Sequence, residues 1–272
     1  MPAGAPDWDW FADLAAAVRA DAPVALATVI EGPHRGAKRL VRRDGDHLGS
    51  LGDPDLDAVV TRDALGALVA GHTHVRHYGT SGQLGADDVE VFIESHAPPP
   101  RMLIFGAVDF TAALADVGRV LGFRVIVCDA RPAFATPARF PMADEVVVDW
   151  PHRLLEQIGA TLGPDDAVCV LTHDSKFDVP AIIAALATEV GYIGAMGSRH
   201  THEDRVGRLR AEGVDDAGLA RIMAPIGLDI GGTTPGETAV SIGAEIIANR
   251  VGRRVPSLRD GDGPIHPAPP SD

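Results

Sequence analysis

Residues 102–111, Met102-Leu-Ile-Phe-Gly106-Ala107-Val108-Asp109-Phe-Thr111, offer one kind of chemistry: backbone amides turned toward an anion. The run reads as a strand, a glycine turn and the start of a helix. Such a helix start presents unsatisfied N–H groups and a partial positive charge. In the Gly-x-Gly-x-x-Gly turn of a dinucleotide fold, the first glycine makes the tight turn. The second admits a pyrophosphate, and the third lets the helix pack on the strand. Gly106 meets the first need, Val108 puts a branched side chain at the second position, and Thr111 is small enough for the third. Asp129 lies 23 residues after Gly106, at the end of the next apolar run, where an acid accepts from ribose hydroxyls. Asp109 favours the helix start but repels a phosphate bound there. The residues leave three readings open: a plain βαβ turn, NAD(P) binding, or an altered ligand mode.

Matching loops follow two later strands. Thr172-His173-Asp174 follows one, with His173 able to bond a ligand or move a proton. Gly194-Ala-Met-Gly197-Ser198-Arg199 follows the next; Ser198 suits a helix N-cap and Arg199 offers a two-pronged donor to an anion. Farther on, Pro225-Ile-Gly-Leu-Asp229-Ile-Gly-Gly232 places three glycines and an acid in six residues, a composition that lets backbone N–H groups approach a partner. Thr234-Pro235-Gly236-Glu237 then reads as a capping box with proline at N1. His72, His74 and His77 lie within six residues, and His72 and His74 share a strand face. With no further ligand type nearby, they read as surface histidines. His200 and His202, two apart on a helix start, do not face each other. No Ser–His–Asp context, phosphate loop with Lys or paired zinc motif is present.

These loops need a scaffold, and the periodicity of the chain supplies one. Asp7 to about Ala20 is expected to be an amphipathic helix, 23–30 a strand, and 38–42 and 47–51 a hairpin around Asp44-Gly45. A helix over 56–69 stopped by Gly71 and strands at 74–78 and 89–94 complete a small α+β unit. Ala97-Pro-Pro-Pro100 cannot donate to a sheet and marks a linker. Beyond it, strands are expected at 101–106, 123–128, 145–149, 166–171 and 190–194, and helices at 109–121, 151–161 and 179–188. Helices at 201–212, 215–222 and 235–251 follow the last strand. The strands are short continuous apolar runs, as in a parallel sheet covered on both faces. The fold class is therefore α/β: a Rossmann-like parallel-sheet domain over 101–253, preceded by a smaller α+β domain over 1–96, a linker over 97–100 and a disordered tail over 254–272.

Composition bounds the function. The chain has 272 residues, 46% of them hydrophobic, enough for two modest cores. Its 24 Lys plus Arg against 38 Asp plus Glu give a net charge of −14, which argues against a nucleic-acid or anionic-membrane surface. A local anion site remains compatible, since a few amides outweigh distant screened charges. The two cysteines, Cys128 and Cys169, sit in strand-like runs and read as buried hydrophobes, so neither a disulfide nor a cysteine metal site is expected. No leader-like segment or membrane-length apolar run is apparent, so a cytoplasmic location is the expectation.

A longer pattern carries a family resemblance. It comprises Gly122-Phe-Arg-Val, Asp129-Ala-Arg131-Pro, Arg139-Phe140-Pro-Met-Ala-Asp144, Thr172-His173-Asp174, Asp178-Val-Pro180, Tyr192-Ile-Gly-Ala-Met-Gly197-Ser198-Arg199 and Ala224–Ala248. In order and spacing it resembles the XdhC/CoxI family, accessory proteins of the xanthine and carbon monoxide dehydrogenases. Ala25-Leu-Ala-Thr-Val, Gly36-Ala-Lys38 and Gly49-Ser-Leu-Gly52 resemble the family's smaller domain. The resemblance implies a chaperone for molybdenum cofactor, a pterin dithiolene with a phosphate and an oxo-metal centre, rather than a catalyst. It implies an apo molybdenum hydroxylase as client, a sulfur-donating desulfurase as a further partner, and self-association into a homodimer. Nucleic acid, membrane, NAD(P) and a resident metal ion are not expected.

The site implied comprises Gly106, Ala107, Val108, Asp129, His173, Asp174, Gly197, Ser198, Arg199 and Asp229, with the amides of 106–110 and 197–199 as donors. Two departures stand out. Asp53-Pro54-Asp55-Leu56-Asp57 replaces the family's Gly-Gly-Cys-Val/Leu-Glu segment. Gly106-Ala-Val-Asp-Phe-Thr111 replaces its Gly-Ala-Gly-His-Val-Ala turn. An NAD(P)-dependent oxidoreductase and a divergent member acting only as an interaction protein are the alternative readings.

Overall fold

The protein is described by a computed structural model over residues 9–83, 88–172, 174–250, 252 and 259. The expected tail over 254–272 and His173 therefore lie outside the described residues, Arg259 excepted. The chain divides into two compact units, Met1–Pro99 and Pro100–Asp272.

The first unit is built on β1 (Val24–Glu31), which pairs antiparallel with β2 (Lys38–Arg42) and β5 (Val89–His96). With β3 (His47–Ser50) and β4 (His74–Tyr78) the sheet order is β3-β2-β1-β5-β4. Side chains alternate along β1. Ala25, Ala27 and Val29 pack with Leu56, Val60 and Ala64 of α2 (Pro54–Ala70). Val24 and Leu26 pack instead with Trp10 and Leu14 of α1 (Trp10–Arg19). The hairpin turns at Gly45 with φ 89°, and α2 stops at Gly71 in the left-handed region.

The second unit is a six-stranded sheet in which every pairing is parallel. Its strands are β6 (Arg101–Phe105), β7 (Arg124–Cys128), β8 (Glu145–Val147), β9 (Ala167–Val170), β10 (Tyr192–Ala195) and β11 (Ile222–Met223), in the order β11-β10-β9-β6-β7-β8. The connections carry α3 (Asp109–Val120), α4 (Pro151–Ile158), α5 (Ser175–Leu186), α6 (Arg199–Ala211) and α7 (Asp216–Ala220); α8 (Pro235–Arg250) follows β11.

One face of this sheet, through Leu103, Phe105, Val168 and Val170, packs on Leu155 of α4, Ile182 of α5 and Leu209 of α6. The other face, through Met102, Ile104 and Val125, packs on Leu114 of α3 and Ile242 and Ile246 of α8. Glycines set two close approaches, Gly118 that of α3 to the sheet and Gly243 that of α8 to α3. A Cβ on Gly118 would lie 2.9 Å from Met102 Sδ, and one on Gly243 would lie 2.8 Å from Val117 Cγ1. Cys128 and Cys169 are both buried and free, as their runs predict.

Most boundaries shift by no more than two residues, and three departures are larger or change the element's type. α5 begins at Ser175, not 179, with Pro180 inside it. Asp174 caps it by accepting from the Lys176 amide at 3.1 Å. The last three residues of the expected helix 151–161 form a 3₁₀ turn, 159–161. β11 was not expected: two residues carry no periodicity, and only pairing with Ile193 and Gly194 makes them a strand.

Candidate functional site

The chain leaves β6 for β7 and β8 on one side, then returns to place β9, β10 and β11 on the other. The order reverses between β6 and β9. At such a switch point, beyond the carboxyl ends of the strands, open α/β sheets bind their ligands. Here the loops leaving the two strands are Gly106–Val108 and Thr172–Asp174. They lie close: a Cβ on Gly106, whose φ is +109°, would sit 2.6 Å from Thr172 Cγ2 and 3.1 Å from the Thr172 amide nitrogen. Glycine is demanded by both backbone and neighbour.

The amides of this turn are largely spent within the protein. Gly106 N–H donates to the Cys128 carbonyl at 2.9 Å. Ala107 N–H donates to Asp129 Oδ2 at 2.8 Å, and Val108 N–H to Thr111 Oγ1 at 3.2 Å. Val108 is half-buried, occupies the N-cap of α3 without a side-chain bond, and packs on the sheet core. The expectation that amides 106–110 face a ligand thus narrows to the first turn of α3, where Asp109 and Phe110 begin the helix.

Asp129 is not poised for a ribose. It is 3% exposed and is gripped by Arg131, whose amide and Nε each donate to Oδ1 at 2.9 Å while Nη2 donates to Oδ2 at 2.7 Å. Burial alone would raise this carboxyl, but hydrogen bonds from Arg131 and the Ala107 amide outweigh it and hold it below the usual carboxylate range. The guanidinium so anchored is itself exposed and lies 4.5 Å from the centre of the Phe134 ring. Arg139 approaches the same ring at 5.7 Å and donates to the carbonyls of Phe134, at 3.1 Å, and Ala107, at 3.3 Å. Phe134 is 44% exposed. Two arginines and an open aromatic ring therefore flank the glycine turn.

Across the switch point, Asp174 is exposed and pairs with Lys176 Nζ at 3.1 Å. Its carboxyl is held low by the Lys176 amide and side chain, with a smaller pull from Arg131, which puts those two loops within electrostatic reach. Ser198 caps α6, accepting from Thr201 N–H at 3.1 Å. Gly197, φ +143°, leaves room for the Thr201 side chain, against which a Cβ would sit at 3.1 Å. Arg199 is half-buried, and Asp229 is exposed on the loop before α8. Glu237 closes the expected capping box: its carboxylate accepts from the amides of Thr233 and Thr234 at 2.8 and 2.9 Å, and the Thr233 and Thr234 donors push it down to about 2.

Sequence reasoning missed three participants. Arg131 and Arg139 enter it only as parts of a longer pattern, and Phe134 not at all; the signal was two arginines and an aromatic crowded into a non-periodic stretch of an acidic chain. A buried ion pair, Asp178 with Arg205 at 3.2 Å, also escaped notice, because the partners are 27 residues apart.

In the first unit the segment that replaces the family's cysteine has structural employment. Asp53 caps α2 by accepting from the Asp55 and Leu56 amides, Pro54 is its first residue, and Asp57 accepts from Leu51 N–H at 2.7 Å while pairing with the buried Arg39 at 3.4 Å. The histidine run is engaged otherwise: Arg76 Nε donates to His74 Nε2 at 3.3 Å. Among the described residues no group of three or more His, Cys, Asp or Glu could hold a metal ion, and no helix is long and apolar enough to cross a membrane.

Comparison with known proteins places this geometry. A family description, the XdhC Rossmann domain, matches residues 102–246, more than half of the chain, and a second, the XdhC and CoxI family, matches residues 17–79. An uncharacterized Escherichia coli K12 protein, YqeB, is 29% identical over 254 residues, covering 87% of this chain and 45% of that protein. A Bacillus subtilis 168 protein, named as a probable component of xanthine dehydrogenase, is 36% identical over 160 residues, 59% of this chain and 46% of its own. The molybdenum cofactor insertion chaperone PaoD of E. coli K12 is 26% identical over 154 residues, 57% of this chain and 41% of its own. The chain thus spans less than half the length of these relatives. A crystal structure described as a xanthine dehydrogenase from Bacillus halodurans shares the fold, with a TM-score of 0.53 at 24% identity over 89% of this chain and 96% of that one.

Proposed function

The chain belongs to the XdhC and CoxI family, and from that premise we propose that it binds molybdenum cofactor at the carboxyl edge of its parallel sheet. In this reading it assists the cofactor's sulfuration or its insertion into a molybdenum hydroxylase of the xanthine dehydrogenase type. A desulfurase as sulfur donor and self-association belong to the same proposal. The relative named as a cofactor-insertion chaperone supports it, as does the relative named for a xanthine dehydrogenase.

The observation that carries it is the Arg131–Phe134–Arg139 cluster beside the switch point. A flat heteroaromatic ring stacks on an exposed aromatic or guanidinium plane. A phosphate is attracted to the two guanidinium charges and accepts from their N–H groups not already given to Asp129 or to carbonyls. Because Asp129 already fixes Arg131, little side-chain entropy remains to be lost on binding. The amides at the starts of α3 and α6 and the Arg199 side chain are the further donors proposed, with Asp174, Asp229 and His173 as polar wall. Gly106 and Gly197 serve by letting the loops come close; Ala107, Val108 and Ser198 shape the turn and the helix cap. The pocket holds and presents its cargo, and no bond-making step is assigned to these side chains.

The test is purification under anaerobic conditions from a host that makes the cofactor, followed by molybdenum quantification and pterin fluorescence after denaturation. Both signals should co-purify with the protein and fall sharply in Arg131→Ala and Phe134→Ala. Absence of both signals, with no activation of an apo molybdenum hydroxylase, would defeat the proposal.

A further inference from the structure

Between α5 and α6 lies a hollow of about 200 Å³ that no part of the proposed delivery role uses. Ser175 and Asp178 of α5 line it together with Thr201, Asp204, Arg205 and Arg208 of α6. Arg205 is only 4% exposed. Its Nη2 is fully occupied, donating to the Met196 carbonyl at 2.7 Å and to Asp178 Oδ2 at 3.2 Å. Its Nη1 is buried and has no hydrogen-bond partner among the described residues. A buried charged donor without an acceptor is rare in a folded protein, and here it leaves the Arg205 charge incompletely compensated at the cavity wall.

We propose that this cavity binds one small oxyanion, a phosphate or the phosphate end of a larger ligand, with the Arg208 guanidinium as donor and the buried charge of Arg205 behind it. Ser175 and Thr201 also line it, the Thr201 hydroxyl lying 2.9 Å from that of Ser198. The volume suits a tetrahedral anion with a water or an ester limb, not a nucleotide. The site stands whether or not the cofactor reading does.

The charges around it make occupancy depend on acid. Two arginines, Arg205 and Arg208, face two carboxyls, Asp178 and Asp204, so the walls are close to neutral when all are ionised. Asp178 also accepts from the Thr172 hydroxyl, and Asp174 at the start of α5 adds a second negative field, itself paired with Lys176. His202, half-buried on α6, is kept below its ordinary value by burial and by Arg205 and is therefore neutral near pH 7. Burial pushes the Asp178 carboxyl up to about 6 although Arg205 opposes it. Protonation of Asp178 removes a negative charge from the wall and leaves Arg205 without its counter-ion, so an anion should bind more tightly on the acid side.

Calorimetric titration of the whole chain with sulfate, whose charge is constant across this range, tests the idea at fixed ionic strength. One site is expected, roughly tenfold tighter at about pH 5.5 than at about pH 7.5. Arg208→Gln, at an exposed position, should weaken binding roughly tenfold without touching the core, Asp204→Asn should tighten it, and Asp178→Asn should erase the pH difference. Amide shifts in ¹⁵N spectra should cluster at 175–179 and 201–208. Inorganic phosphate and phenyl phosphate then separate the sources. Tighter binding of the ester supports a larger ligand's phosphate end, and equal or tighter binding of the free ion supports phosphate itself. Absence of saturable heat with sulfate and phosphate at about pH 5.5, or binding untouched by Arg208→Gln with shifts elsewhere, overturns the proposal. No molybdenum cofactor is present in these titrations, so their failure is separate from any failure of the delivery role.

Discussion

Asp129 and Asp178 show how one residue type takes opposite roles in two buried settings. Asp129 is held low because Arg131 and two amides bond its ionised form, so it stabilises the fold above the ordinary carboxyl range and that contribution is lost as pH falls through its lowered value. Asp129→Asn should therefore cost about 2 kcal/mol near pH 7, read as a lower urea midpoint at unchanged slope, and much less near pH 3. Asp178 runs the other way. Its raised value means the folded protein binds that proton more tightly than the unfolded chain, so its contribution improves as pH falls from about 6 toward the ordinary carboxyl range. The stability difference between the parent and Asp178→Asn should accordingly shift in the parent's favour across that window, on the order of 2 kcal/mol. A flat difference would show that Arg205 keeps Asp178 ionised throughout.

At the scale of elements, the turn between β6 and α3 is governed by contact with the loop after β9. Gly106→Ala would combine a strained φ with a methyl against Thr172, and a loss of about 2–3 kcal/mol in thermal or urea unfolding is expected. Much of this level was legible in the sequence. Asp44-Gly45 announced its hairpin, Gly71 its helix end, and the Thr234–Glu237 box its helix start, because in each case the cause lies within four residues. Most of what stayed hidden depends on distant partners. β11 exists only through β10, whereas the early start of α5 has a local cause, the Asp174 cap, that the apolar pattern over 179–188 did not register. The site divides in the same way. Its glycines and strand ends could be read directly, and Phe134 with its two arginines shares one non-periodic stretch, whereas the commitment of the Gly106 and Ala107 amides to Cys128 and Asp129 and the Asp178–Arg205 pair emerge only when separate segments meet.

For the molecule as a whole, each of the two units carries its own core, and the break falls between Pro99 and Pro100. Residues 100–272 produced alone should fold, giving one cooperative unfolding transition and a mixed α/β circular dichroism spectrum. A broad, probe-dependent melt would show that the second unit relies on the first. The net charge of −14 also acquires a spatial meaning, since Arg131, Arg139 and Arg199 stand in loops and a helix start at the carboxyl edge of one sheet, with Asp109, Asp129, Asp174 and Asp229 among them. Capture of an anion at that edge therefore rests on a few local donors, while an extended polyanion meets an acidic background.

The carboxylate of Asp129, spent on its own loop and on Arg131, has a historical corollary. Conversion of this edge into a nucleoside pocket could not proceed one substitution at a time. Freeing the acid alone strands an arginine and an amide, and removing the valine alone opens a gap in the packing beside it, so each step is a loss until the others are made. Such an epistatic ridge would keep the lineage on its present side, however closely its topology matches that of the dehydrogenases.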